Sequence, residues 1–249
     1  MNRIPDESID LVVTDCPYHI VSGGCTNDKV KIGRSRKRES HGGVYVGDTK
    51  HVNLGGIFDE FDEWCYTKDG KLFKHNSIEF KDWLPEIYRV LKQGTHCYVM
   101  INARNLKDLQ IEAEKAGFIF QNLLVWDKGN ATPNRYYMNA CEFILMLRKG
   151  KAKKIQDMGT KNILRVPNIT RVKEHPTEKP KNLMKILIAN SSNEGDTVLD
   201  PFMGVGGTGL ACKELNRDFI GIEIDKKYFN IADERMKDEY EQLTIFDFI

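Results

Sequence analysis

Apolar and β-branched residues run almost unbroken through Ile9-Asp-Leu-Val-Val-Thr14 and stop at Asp15-Cys16-Pro17-Tyr18. That is the pattern of a buried parallel strand ending in a loop, with Asp15 delivered to the sheet's edge. Periodicity then disappears from 21 to about 74, where glycine pairs at 23–24, 42–43 and 55–56 interrupt polar and charged residues. Residues 20–75 therefore read as a long inserted loop region of a length usually tied to function. Helical spacing returns with Phe80, Trp83, Leu84, Ile87, Tyr88 and Leu91, which predicts a helix over 77–91 ended by Gly94.

Next come a strand over 96–101, a helix over 106–116 closed by Gly117, and two apolar runs at 119–126 and 142–147. After a polar stretch near 150–174, the pattern gives a helix at 181–190, a strand at 197–200, a helix at 209–216 and a strand at 219–223. Alternation of this kind predicts an α/β domain spanning 1–249, with a doubly wound, mostly parallel sheet and a βαβ unit near its end.

That last unit carries Asp200-Pro201-Phe202-Met203-Gly204-Val205-Gly206-Gly207-Thr208-Gly209 between strand and helix, and Glu223 ends the following strand. Glycines allow a tight turn and a close backbone approach to a ligand, and an acid at that separation can accept hydrogen bonds from ribose hydroxyls. A nucleoside-containing cofactor follows. Asp200 suits an amino group, whereas a dinucleotide site presents backbone amides to a pyrophosphate, so S-adenosylmethionine fits better than NAD. Asp15-Cys16-Pro17-Tyr18 offers what methyl transfer to an exocyclic amine needs. The Asp15 carboxylate and Cys16 carbonyl can accept the amine's two protons, Tyr18 can stack on an unstacked base, and Pro17 stiffens the turn.

The chain has 249 residues, 41% hydrophobic and 29% charged, with 37 basic and 36 acidic side chains and a mean hydropathy of −0.47. Such a composition excludes disorder and suits one large core. No stretch approaches the roughly 18 consecutive apolar residues of a membrane span, and the start has no signal-peptide core, so a cytoplasmic, non-membrane protein is expected. The six cysteines are scattered without a CxxC pair; neither a metal site nor a disulfide framework is signalled.

The two motifs, in this order, resemble the beta class of amino DNA methyltransferases, in which a DPPY-type catalytic loop precedes the cofactor loop. A segment ending in Lys-Pro lies just upstream of the latter in that family, and His175-Pro-Thr-Glu-Lys-Pro180 occupies that place here. The resemblance implies an S-adenosylmethionine-dependent methyltransferase fold and a flipped DNA base, methylated within a restriction-modification setting. It gathers Asp15, His175, Thr177, Lys179, Asp200, Pro201, Phe202, Gly204, Gly206, Thr208 and Glu223 around the cofactor, and places Asp15, Cys16, Pro17 and Tyr18 at the reacting base. The aspartate-first loop favours adenine N6 in this family, with cytosine N4 as the alternative. A nicotinamide oxidoreductase would have no use for the catalytic loop, and a non-catalytic DNA-binding protein is the other remote alternative.

Three departures stand out. Cys16 replaces the usual proline; because cytosine C5 methylation goes with a Pro-Cys order, Cys16 is not assigned as a nucleophile. The family carries an acid-bearing strand upstream of the catalytic one, and this sequence starts too late for it, so either the start is truncated or the sheet lacks its N-terminal edge strand. The interval usually occupied by target recognition is short, 150–172, so the insertion after Tyr18 is expected to share DNA contact.

Lys29, Lys31, Arg34, Arg36, Lys37 and Arg38 form one acid-free run. Arg148, Lys149, Lys151, Lys153 and Lys154 form a second, and bases flanking a base-modifying loop are expected on phosphates. The acidic tail, 233–249, ends in Gln242-Leu-Thr-Ile-Phe246 and beyond, which resembles the peptide that grips the replication sliding clamp. DNA, that clamp and a second copy of the chain are thus the expected partners.

Overall fold

The computed structural model describes residues 1, 3–17, 78–132, 136–169 and 178–246; the side chains of 132 and 238–246 are also left out of account. Tyr18 and the basic run at 29–38 lie outside the described residues. So do His175 and Thr177.

Seven strands form one sheet: β1 (Ile9–Asp15), β2 (Leu91–Ile101), β3 (Ile119–Thr132), β4 (Asn139–Arg148), β5 (Ile163–Arg165), β6 (Thr197–Asp200) and β7 (Asp218–Gly221), in the order β5-β3-β4-β2-β1-β6-β7. β1 pairs in parallel with both β2 and β6, and β6 with β7. β4 runs antiparallel to β2 and β3. This is the expected mostly parallel α/β sheet, and among the described residues β7 has no neighbour on its outer side.

Helices cover both faces. Leu11, Val13, Tyr98, Met100, Ile144 and Val198 on one face pack against Leu183, Met184, Leu187 and Ile188 of α3 (Lys181–Ser191) and Ala211 and Cys212 of α4 (Gly207–Glu214). Val12, Cys97, Val99, Leu145 and Leu147 have the opposite parity and are also buried, as side-chain alternation requires. They lie on the side of α1 (Phe80–Val90) and α2 (Leu106–Lys115), whose buried Trp83, Leu84, Ile87, Leu109 and Ala113 supply the facing surface. α5 (Lys226–Phe246) ends the described chain and includes the backbone of Gln242–Phe246. No described helix is long and apolar enough to cross a membrane.

Two boundaries differ from the pattern. α1 stops at Val90 and β2 starts directly at Leu91, because the buried Lys149 ammonium donates to the Tyr88 and Leu91 carbonyls at 2.7 and 2.8 Å and caps the helix end. Gly94, at φ +78°, therefore sits inside β2, not at a helix stop. The second difference is at 150–172, where 163–165 enters the sheet as β5, parallel to β3. Leu164 and Val166 are buried, and the Val166 carbonyl accepts a 2.7 Å bond from the Trp126 indole. Three residues of this segment, 163–165, thus form a sheet edge, a task that so short a strand announces only weakly in a sequence.

Candidate active site

Parallel pairing brings the carboxyl ends of β1, β2 and β6 to one side of the sheet, where ligands bind in open α/β folds. The antiparallel β4 delivers its beginning there, since Phe143 pairs with Ile101. Asp15 ends β1 and Asp200 ends β6. The cleft between them is lined by Asp15, Glu178, Lys179, Met184, Asp200, Phe202, Met203, Gly204, Val205, Gly207 and Thr208. Of the expected cofactor residues that are described, Asp15, Lys179, Asp200, Phe202, Gly204 and Thr208 line it. Pro201, Gly206 and Glu223 are not among its lining residues.

Asp15 is held on one side only. Its Oδ2 accepts from the Lys179 ammonium at 2.6 Å, while Oδ1 is buried with no hydrogen-bond partner among the described residues. Burial raises the Asp15 carboxyl above its ordinary value, with Lys179 pulling the other way. Lys179 also lies 3.4 Å from Glu142, and Glu142 lies 3.3 Å from Lys128. Burial opposes the charge on Glu142, yet Lys179 and Lys128 together hold it below the usual carboxylate range. Glu142 and Lys128 escaped the sequence reading. The available signal was a single acid opening the apolar run of β4, paired in register with Trp126.

Asp200 faces inward at 3% exposure. Its Oδ1 accepts from the Thr14 hydroxyl at 2.7 Å and the Phe202 amide at 3.1 Å, and its Oδ2 accepts from the Thr208 hydroxyl at 2.6 Å. Its carboxylate therefore ties β1, the turn and α4 together, and an ammonium group would be an additional donor to it. Burial pushes it up to about 6 despite these bonds.

Gly206, at φ +82°, is the N-cap of α4, and a Cβ there would come within 3.0 Å of the Ala232 Cβ. Gly204, at φ +54°, has nothing within 4 Å of a built Cβ, so its backbone is open to close approach. Glu223 braces the loop, accepting from the Gly204 amide at 3.0 Å and the Asp225 amide at 2.8 Å; its carboxylate has remaining acceptor capacity. Phe202 packs edge-on against Trp83 at 5.3 Å.

Cys16 is 2% exposed, and its thiol reaches back 3.7 Å to the Met100 carbonyl. Burial drives that thiol well above its ordinary range, which leaves no reactive thiolate. Pro17, the last residue described in the loop, follows it.

The second basic cluster is elsewhere. Arg148 pairs with His96, midway along β2, and the Lys153 amide donates to the carbonyl of Gly94, nearer the strand's amino end. Lys151, Lys153 and Lys154 thus lie at the opposite end of the sheet from Asp15, which pairs with Met100. Their proximity in sequence to the carboxyl-terminal motifs does not survive the strand direction, and Lys149 is buried as a helix cap. What the β3–β4 ribbon does present at the Asp15 end, beyond the Thr132–Asn139 pair, is Tyr136, Tyr137 and Met138, exposed by 84%, 87% and 59%.

Comparison with known proteins agrees with this geometry. The N6/N4 family of DNA methylases matches residues 9–234. The Type II methyltransferase M2.DpnII of Streptococcus pneumoniae is 29% identical, covering 97% of this chain and 87% of that protein. M.HinfI of Haemophilus influenzae is 28% identical over 96% of this chain and 66% of its own. Among solved structures, the M1.HpyAVI–SAM complex superposes with a TM-score of 0.57 at 35% identity, over 64% of this chain and 83% of that one. The cytosine-N4-specific PvuII DNA methyltransferase, at 16% identity and a TM-score of 0.63, covers 97% of this chain and 87% of its own and shares the fold. With Asp15 and the glycine loop lining one cleft, the chain belongs to the N6/N4 DNA methylase family, the S-adenosylmethionine-dependent DNA methyltransferases.

Proposed function

We propose that the enzyme methylates the exocyclic N6 of an adenine flipped out of DNA. The observation that carries this is the orphaned Asp15 Oδ1, a buried acceptor at the cleft whose other oxygen is already taken. A buried acceptor without a donor is costly, and an amine N–H at this position removes the cost. Asp15 and the Cys16 carbonyl draw on the amine's two protons, which returns lone-pair density from the ring to the nitrogen. Asp15 then takes the proton that nitrogen must lose, and Lys179 stabilises the carboxylate while it is ionised. Tyr18, two residues beyond Cys16, is assigned to stack on the base. When bound, S-adenosylmethionine supplies a methyl group on a positively charged sulfur, the electrophile that the amine nitrogen attacks. The open Gly204 backbone, Phe202, Thr208 and Asp200 suit that ligand on the cleft side, with Glu223 as the ribose acceptor; His175 and Thr177 are assigned to it by motif alone. Positioning and electrostatics supply the acceleration.

For DNA, the exposed Tyr136-Tyr137-Met138 tip at the Asp15 end favours contact with unstacked bases, and the run Lys29–Arg38 is assigned to phosphates by its charge. Clamp tethering through Gln242–Phe246 rests on the sequence of that segment. The deciding experiment replaces Asp15 with alanine and follows methyl transfer to unmethylated DNA, identifying the modified base by mass spectrometry after hydrolysis. Wild type should yield N6-methyladenine, and Asp15→Ala should lose transfer while calorimetry still shows S-adenosylmethionine binding. Retained transfer would overturn the role of Asp15, and N4-methylcytosine would overturn the choice of base.

A further inference from the structure

Four side chains of alternating charge run from the rim of β3 to the catalytic carboxylate: Lys128, Glu142, Lys179 and Asp15, with successive separations of 3.3, 3.4 and 2.6 Å. All are mostly buried, with side-chain exposures of 13%, 25%, 8% and 23%. They come from separate places in the chain, namely β3, the start of β4, the residue before Pro180 and the end of β1. Two cations and two anions leave the row neutral, and it terminates on Asp15 Oδ1, a carboxylate oxygen with no partner among the described residues. Buried ion pairs recover little net stability after desolvation, so the arrangement asks for a reason other than holding the fold.

We propose that Glu142 and Lys128 are positioning residues for methyl transfer: they fix the Lys179 ammonium so that it occupies Asp15 Oδ2 and leaves Oδ1 turned toward the substrate amine. A lysine on a flexible stem that met only one carboxylate could follow that carboxylate through a half-rotation and present either oxygen. Glu142 removes this freedom by holding the ammonium from the far side, and Lys128 holds Glu142. The carboxylate plane of Asp15 is then set before substrate arrives, which is where preorganisation acts on rate and not on binding. This inference rests on Asp15 as the acceptor of the target amine.

Among the described residues, the charged or titratable groups facing Asp15 are Lys179, Glu142, Cys16 and the more distant Asp200. Among them the Glu142 charge works against ionisation of Asp15. Glu142→Gln should therefore lower kcat roughly ten- to a hundred-fold, the cost of slight misplacement, with KM for DNA and for S-adenosylmethionine nearly unchanged. It should also move the acidic limb of the rate profile to lower pH. Lys128→Met should lower kcat less and move that limb, if at all, to higher pH. The double variant, which restores neutrality, should recover part of the kcat lost in Glu142→Gln.

A stabilising role alone would lower the melting temperature without the limb shift or the rescue. A wild-type kcat in Glu142→Gln, or additive losses in the double variant, overturns the proposal. Should Glu142→Gln fail to fold, Lys128→Met alone decides, and an unchanged kcat there sinks the idea. Asp15→Asn, run alongside, separates the two levels: active Asp15→Asn defeats the functional assignment itself, whereas inactive Asp15→Asn beside a fully active Glu142→Gln defeats only the positioning role.

Discussion

Two aspartates at the ends of neighbouring parallel strands do different work because their surroundings differ. Asp15 keeps one oxygen open; Asp200 has both engaged by Thr14, Thr208 and the Phe202 amide. For Asp200 the main effect of burial is to raise the carboxyl from 3.8 to about 6, so the folded state resists its ionisation. A folded-state value above the unfolded one means the contribution is fully present below about pH 4 and is lost as pH rises through about 6. The difference corresponds to at most about 3 kcal/mol. Asp200→Asn never ionises, so its stability relative to wild type should climb between pH 4 and 6.5. Urea midpoints measured across that window check it, and a difference that stays constant with pH shows that Asp200 titrates normally. Sequence alone marked both aspartates, since each closes an apolar run before proline, but Thr14 gave no sign of being a tether. Its hydroxyl looks like any polar strand end until β1 and β6 are laid side by side.

At the level of elements, the β3–β4 ribbon shows what strand direction decides. Helices and strands were readable from apolar spacing almost everywhere, and the motif strands β1, β6 and β7 came within a few residues of their observed limits. What spacing cannot give is whether a strand runs with its neighbours or against them. β4 runs against β2, which carries Glu142 toward Asp15 and takes Lys151, Lys153 and Lys154 away from it. The expectation that those lysines touch phosphates near the flipped base depended on a direction the sequence did not contain. The same reversal puts Tyr136 and Tyr137 at the catalytic end, with large aromatic faces in solvent. Replacing both tyrosines with serine should raise Kd for DNA about ten-fold or more, since stacking on a base is worth roughly 1–3 kcal/mol. The triple Lys151, Lys153 and Lys154 alanine variant should bind within about two-fold of wild type in the same titration. The reverse ranking would move the DNA contact to the amino end of the sheet.

Over the whole molecule, a net charge of +1 conceals segregation: six bases crowd 29–38, while 233–247 has six acids against two bases. Near-neutral totals therefore say little about polyanion binding, because the potential felt by a duplex depends on the face presented. The acidic helix α5 is anchored by its first half. Arg235 donates to the Val205 carbonyl at 2.9 Å and pairs with Glu178 at 2.8 Å, while Lys213 donates to the Met236 carbonyl at 2.6 Å. Those contacts join the helix to the glycine loop and to the residue preceding Lys179, so the first half of α5 supports the cleft. Gln242–Phe246 continues the helix past these anchors. For Leu243, Ile245 and Phe246 to fill successive positions in a partner's groove, the final turn must open, which is inexpensive at a helix end. Deleting 242–249 should leave the methylation rate and the melting temperature unchanged, because every described anchor of α5 remains. The same deletion should abolish capture of the purified sliding clamp. Clamp capture that survives it would end the tethering assignment, and a fall in methylation would show that the last turns of α5 also support the cleft.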